Sequence, residues 1–195
     1  MDTELSPKAA EIVAYTRILL ESGGYNSFSY ADIAAQVNIS KASIHHHFPT
    51  KVDLVREVVA RYRAEARAGL ALLEGQLDNP LGELTAYSDY WSSCILGGTS
   101  SFCIGAMLAA ELPTLPPEVA AEVRGHFDDL SQWLTSTMTR GLSRGQLQLH
   151  ATPQVEARTF MAAVHGAMLA ARGLGEPAAF ESLVRVSLDR LAPAA

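Results

Sequence analysis

The chain has 195 residues, of which 48% are hydrophobic and 18% charged, with a formal net charge of −6. Such a composition describes a globular chain with a sizeable core and excludes a disordered tail. The longest nearly uninterrupted apolar stretch, Phe160 to Ala171, is 12 residues with His165 inside it, short of the ~20 that span a bilayer, so neither a transmembrane helix nor a membrane partner is expected.

Charge is unevenly spread along the chain. Residues 1–63 hold seven Lys/Arg against seven Asp/Glu and three of the six histidines, while the remainder holds 8 basic against 14 acidic groups. The acidity therefore belongs to the back of the molecule and leaves the front free to meet a polyanion. The opening "MDTELSPKAAEIV" lacks a basic region followed by an apolar core, which predicts no secretory signal and a cytoplasmic protein. Two cysteines, Cys94 and Cys103, make no disulfide framework and are expected as thiols.

In chain order, apolar residues recur at helical spacing and β-branched runs are absent, which predicts an all-α fold of about nine helices. Helix 1 is expected from about Pro7 to Ser22, with Ile12, Tyr15, Thr16, Leu19 and Leu20 inward and Gly23-Gly24 ending it. Three closely spaced capping patterns follow: Ser29-Tyr-Ala-Asp32, Ser40-Lys-Ala-Ser43 and Thr50-Lys-Val-Asp53. They predict helix 2 over about Tyr30–Val37, a tight turn at Asn38, helix 3 over about Lys41–His47 and a stop at Pro49, the spacing of a helix-turn-helix. Helix 4 should run from Lys51 to about Leu77, helix 5 from Asn79-Pro80 to Gly97-Gly98, and helix 6 over about Phe102–Leu112. Helix 7 should start near Pro117 and end near Gly145, helix 8 should follow Thr152-Pro153, and helix 9 should occupy about Pro177–Leu191. Helix 9 carries an apolar stripe of Phe180, Leu183, Val184, Leu188 and Leu191, and helix 8 is apolar nearly all round. A helix that is apolar on every side has to be covered on every side, which predicts a homodimer through helices 8 and 9, with Ala162, Ala163, Gly166 and Ala170 allowing close approach.

The stretch "GYNSFSYADIAAQVNISKASIHHHFPTKVDLV" resembles the TetR-type bacterial transcriptional repressors. It shares their Gly-Tyr, Ser-capped second helix with Asp-Ile-Ala, Ser-Lys start to the recognition helix, and Lys-x-x-Leu opening of helix 4. The segment "FCIGAMLAAELPTLPPEV" resembles the branch that includes the N-ethylmaleimide-reductase repressor, some of whose members sense electrophiles with a cysteine at the place of Cys103. Two departures stand in the recognition helix, Ala42 for the usual glycine and His45 for the usual tyrosine. The resemblance implies a DNA-binding domain over residues 1–50 and a ligand-binding and dimerisation domain over 51–195. It further implies a repressor that binds a palindromic double-stranded operator as a dimer and is released by a small molecule or electrophile. Occupancy of the pocket would shift helices 5 to 7 and pivot helix 4.

Helix-turn-helix geometry assigns base reading to Lys41, Ala42 and Ser43 at the start of helix 3. Phosphate contacts are assigned to Ser29 and Tyr30, to Thr50 and Lys51, and to His45 where relatives have tyrosine, with His46 at the groove edge. The run His45-His46-His47 makes no metal site by itself, because neighbouring helical residues point about 100° apart. No cofactor is implied. Ten large apolar and aromatic residues populate helices 5 to 8, and for a pocket wall the candidates are Tyr90, Trp91, Cys94, Cys103, Met107, Trp133 and His165. Cys103 has two readings, an inert buried thiol or a sensor whose thiolate the start of helix 6 would favour. His126, beside Asp128 and Asp129, is expected at the surface or a pocket rim. No nucleophile elbow, phosphate loop or dinucleotide fingerprint occurs, so the chain is not expected to be an enzyme; the alternative is a thiol enzyme using Cys103 and His165.

Overall fold

The computed structural model describes residues 5–98 and 102–193, and every described element is helical. Nine α-helices follow in order among these residues: α1 Pro7–Gly23, α2 Tyr30–Gln36, α3 Lys41–His47, α4 Lys51–Gln76, α5 Pro80–Gly97, α6 Ile104–Ala109, α7 Pro117–Ser143, α8 Pro153–Leu174 and α9 Ala179–Leu191. Short 3-10 turns occupy Tyr25–Ser27 and Leu112–Thr114. No helix among the described residues is long and apolar enough to cross a membrane.

Local chemistry explains most of the boundaries. The Ser6 hydroxyl accepts from the Ala9 amide at 3.3 Å, and Pro7 occupies the first turn of α1, where its missing N–H costs nothing. Asn38 bridges α2 and α3 at φ 52°, the one described non-glycine residue with positive φ; its short polar side chain suits the left-handed region. Thr152 caps α8 and Gly175 ends it at φ 68°. The expected helix 6 is the most shortened element. Its helical geometry is confined to Ile104–Ala109 and gives way to the 3-10 turn that contains Pro113. Proline removes an amide and disfavours helical geometry in the residue before it, although the apolar pattern continues.

The chain divides into two compact units. One comprises residues up to Ala64 together with Cys103–His126, so that α1, α2, α3 and the first part of α4 share a core with α6 and the start of α7. Ile12, Leu20, Ile33, Ile44, Leu54, Ile104 and Leu108 are sealed in that unit. The other comprises Glu65–Phe102 and the residues from Phe127 onward. There α9 packs on both α8 and α5, around Leu84, Leu134, Met138, Phe160, Phe180 and Val184. Each fully buried side chain of this size contributes about 1.5–3 kcal/mol relative to exposure. Leu183, expected inward on α9, is 45% exposed, since the buried stripe runs Phe180, Val184, Leu188, Leu191 and leaves it on the flank.

Candidate nucleic-acid interface and ligand-binding helices

In the first unit, all three capping patterns are formed. The Ser29 hydroxyl accepts from the Ala31 amide at 3.2 Å while the Asp32 carboxylate accepts from the Ser29 amide at 2.7 Å. The Ser29 amide, joined by the Ser29 hydroxyl donating to the same carboxylate at 2.9 Å, holds the Asp32 carboxyl below its usual range. The Ser40 hydroxyl accepts from the Ser43 amide at 3.1 Å, and Thr50 and Asp53 exchange the equivalent pair, each at 3.1 Å. The N-termini of α2, α3 and α4 are thereby built with their side-chain oxygens in place and their remaining first-turn amides directed out of the helix ends.

Helix α3 is divided lengthwise. Ile44 and the following Phe48 are buried, Ser43 and His47 are half-buried, and Lys41, Ala42, His45 and His46 form the exposed stripe. The His45 ring stands 4.8 Å from the Tyr30 ring, edge to face, and its Nδ1 lies 3.0 Å from the Pro49 carbonyl. A carbonyl only accepts, so Nδ1 is the protonated nitrogen and Nε2 is the atom left for an outside partner. Tyr30 is buried and donates its hydroxyl to the Phe48 carbonyl at 2.9 Å. Burial, with the Asp53 charge adding to it, pushes the phenol up to about 12. Tyr30 thus supports His45 and closes α2 onto the end of α3.

Lys51 also turns inward. Its ammonium donates to the Phe28 carbonyl at 2.5 Å and lies over the rings of Tyr25 and Phe28, 4.7 and 4.1 Å from their centroids. Burial among these groups lowers it from the ordinary lysine range, against the opposing pull of Glu111 and Asp32. What α4 leaves outward at its start is the exposed Thr50 and the first-turn amides. A contact with no sequence signal ties this region to α6: the Glu111 carboxylate accepts from the Tyr25 amide at 2.7 Å. Gly24 beside it has φ 78°, and a Cβ there would meet the Glu111 carboxylate at 2.8 Å.

Of the two readings of Cys103, at the start of α6, its surroundings favour the buried thiol. It is 1% exposed, receives the Tyr62 hydroxyl at 3.1 Å and lies 3.7 Å from Nε2 of His126. Burial pushes its thiol up, with the Tyr62 hydrogen bond opposing only in part. Desolvation also outweighs the backbone amides of Gly105 and Ala106 in the first turn of α6, which act the other way. His126 was expected at a surface or rim and is instead 6% exposed, packed so closely that a Cβ on Gly105 would stand 2.5 Å from its ring.

The residues proposed for a pocket wall are distributed between the units. Cys103 and Met107 belong to the first; Tyr90, Trp91, Cys94, Trp133 and His165 belong to the second. Within the second, Tyr90 turns to solvent at 56% exposure, Cys94 is half-buried, and the His165 ring stands 5.3 Å from Phe127. Trp91 and Trp133 are buried, and Tyr87, one turn before Trp91 on α5, is 5.7 Å from Trp133 on α7. A further turn back, Glu83 is 1% exposed and accepts from Thr137 at 3.1 Å and Arg140 at 2.5 Å, while Arg140 also reaches Glu74 at 2.6 Å. That cluster has no signal in the sequence, because its members come from three different helices. Among the described residues no three His, Cys, Asp or Glu side chains come together as metal ligands.

Known proteins share both halves of this arrangement. Residues 12–58 match the family described as bacterial regulatory proteins, tetR family, and residues 80–186 match the tetracyclin repressor-like C-terminal domain. The chain belongs to the TetR family. A TetR-family transcriptional regulator from Agrobacterium tumefaciens is 51% identical and superposes with a TM-score of 0.93, over 95% of this chain and 97% of that one. The HTH-type transcriptional regulator CymR of Pseudomonas putida is 27% identical over 140 residues, 69% of this chain and 67% of that protein. The reduced form of Escherichia coli NemR, at 18% identity, a TM-score of 0.82, and coverage of 96% and 100%, shares the TetR fold. The protein is therefore a TetR-family transcriptional regulator, with a helix-turn-helix in its first unit.

Proposed function

We propose that this regulator is a dimeric repressor that grips a palindromic operator through α3 and lets go when a small molecule occupies its second unit. The exposed stripe of α3 carries the reading: Lys41 and Ala42 stand at the N-terminal end that enters a major groove, and Ser43 is half-buried behind them. Lys41 and Ser43 offer hydrogen-bonding groups to base edges and Ala42 offers a methyl to thymine. Ser29, Thr50 and His45 flank that end as phosphate contacts, Tyr30 acts through His45, and Lys51 acts by holding the loop before α2. His46 lies farther along the same exposed stripe, at the groove edge.

Dimerisation through α8 and α9 is supported by apolar groups left outside on both helices. Val155, Leu169 and Leu174 on α8 are 51, 62 and 63% exposed, and Val186 on α9 is 69% exposed. Ala162 and Gly166 lie exposed on α8, and nothing stands within 4 Å of a Cβ placed on Gly166. Two such helix pairs stacked as a four-helix bundle would cover these groups. The residues carried forward for the ligand are Trp91, Trp133, Cys94 and His165, with Tyr90 at an outer edge; Cys103 and Met107 belong to the first unit. Function on genomic DNA assigns the protein to the cytoplasm.

Selection of bound duplexes from a random pool tests the proposal. Enrichment of a palindrome whose half-sites lie one helical turn or more apart, with affinity falling steeply as salt rises, is the expected result. Enrichment of non-palindromic sequence, or binding unaffected by Lys41→Ala, would overturn it.

A further inference from the structure

Trp91 and Trp133 are the chain's two tryptophans, and they share an unusual property. They are 5% and 8% exposed, the Nε1 atom of each is buried, and neither meets an acceptor among the described residues. A buried donor left without an acceptor is destabilising, and native proteins rarely keep one without a use for it. Tyr87 links the two in the fold: it stands one turn before Trp91 on α5 and in ring contact with Trp133 on α7. An indole N–H donates and never accepts, so this is a donor-rich, acceptor-poor patch in an apolar seam.

We infer that the two indole N–H groups form the polar part of the inducer site and take neutral oxygen acceptors, such as ketone, ester or amide oxygens, on a small and mainly apolar molecule. The inference rests on the ligand-responsive reading above and specifies its chemistry. Tyr87, Trp91 and Trp133 supply aromatic walls, and the two N–H groups supply orientation. A carboxylate fits less well. Arg140, the cation of this seam, already holds Glu83 and Glu74, at 2.5 and 2.6 Å, and a buried anion without a counter-charge is strongly disfavoured. A ligand cation offers these two donors nothing to accept their hydrogens.

The test uses the full-length dimer with 15N-labelled indoles, whose two signals are assigned with Trp91→Phe and Trp133→Phe. Acetophenone is titrated beside α-methylstyrene, the isostere in which a CH2 group replaces the carbonyl oxygen, and beside benzoate. The expected result is a downfield shift of both indole protons with the ketone alone. Ketone affinity should drop about 3- to 10-fold in each phenylalanine variant, the loss of one hydrogen bond, while hydrocarbon affinity stays constant. Indole protons that respond alike to ketone and hydrocarbon, respond best to benzoate, or do not respond to the ketone overturn the inference, and the wild-type titration decides this even where a variant fails to fold. Release of selected operator is followed in parallel. Operator release by ketone with unmoved indole signals would sink this site and leave the ligand-responsive reading standing; shifted signals without release would support the site and sink that reading.

Discussion

The three consecutive histidines make a prediction that separates charge from shape. His45 has its Nδ1 engaged by the Pro49 carbonyl, so in the neutral ring Nε2 is a bare acceptor, and it would face a phosphate oxygen lone pair to lone pair. Protonation turns that same atom into a charged donor. Contact with phosphate favours the charged ring, so protons are taken up on binding and affinity rises as pH falls. The Tyr30 phenol packed against the ring stays neutral, pushed up to about 12 by burial, and adds no competing charge. One exposed ion pair gives about 0.2–1 kcal/mol, so two His45 residues per dimer give about 0.4–2 kcal/mol, roughly 2- to 30-fold in affinity between pH 8 and pH 6. Two extra neutralised phosphates should also steepen the log–log salt dependence by about 1.8. Fluorescence anisotropy on selected operator, at both pH values and several salt concentrations, measures both quantities. His45→Phe should remove most of the pH response, with His46→Gln as the control for its exposed neighbour. An equal pH response in wild type and His45→Phe, or a salt slope indifferent to pH, refutes the reasoning.

Other expectations concern the groups that hold the site in place. Arg140→Met leaves Glu83 buried with Thr137 as its remaining contact and should cost about 2–4 kcal/mol. The cost stays below that of a fully sealed pair because Arg140 is 23% exposed. Thermal unfolding at fixed protein concentration should fall by about 5–10 °C, and Glu83→Leu added to Arg140→Met should recover most of it; a double variant no more stable than the single one refutes the account. Tyr30→Phe should lower stability by about 1 kcal/mol by stranding the Phe48 carbonyl. The same variant should flatten an alkaline decline. The folded chain keeps the Tyr30 proton up to about pH 12 while the unfolded chain loses it near its ordinary 10.0, so folding weakens as pH rises between them. In native-state alkylation followed by mass spectrometry, half-buried Cys94 should react well before Cys103, whose thiol is sealed and pushed up by burial; the reverse order would restore Cys103 as an accessible thiol.

What the sequence made legible was local chemistry. Lys41–His47 is bracketed by the Ser40 cap and by Pro49, and α5 and α8 open where Asn79-Pro80 and Thr152-Pro153 place a first-turn proline. Interactions between distant residues were not legible. Tyr25 and Glu111 are 86 positions apart, and no periodicity in either segment announces their hydrogen bond. Adjacent aromatics on α5 look alike in the sequence, yet Tyr90 faces solvent and Trp91 is sealed, because packing by helices distant in the sequence decides which side of α5 is covered. Helix-end reasoning favoured a thiolate at Cys103, and the depth of the site reversed the sign. The exposed stripe of α3 could be anticipated because its caps and its buried Ile44 lie within a few residues of it. The buried, acceptor-less indoles of Trp91 and Trp133 could not.

The Glu111 contact restricts how this regulator can be re-engineered. A hybrid made by grafting a relative's residues 1–50 would bring its own loop to a carboxylate that has no counterpart in the donor segment. The graft would need glycine at 24, to keep φ 78° and leave room for the carboxylate, and an amide at 25 presented in register with it. Operator preference is better redirected by exchanging the outward positions of α3 alone, leaving Gly24, Tyr25 and Glu111 as the hinge pin on which any new reading head must hang.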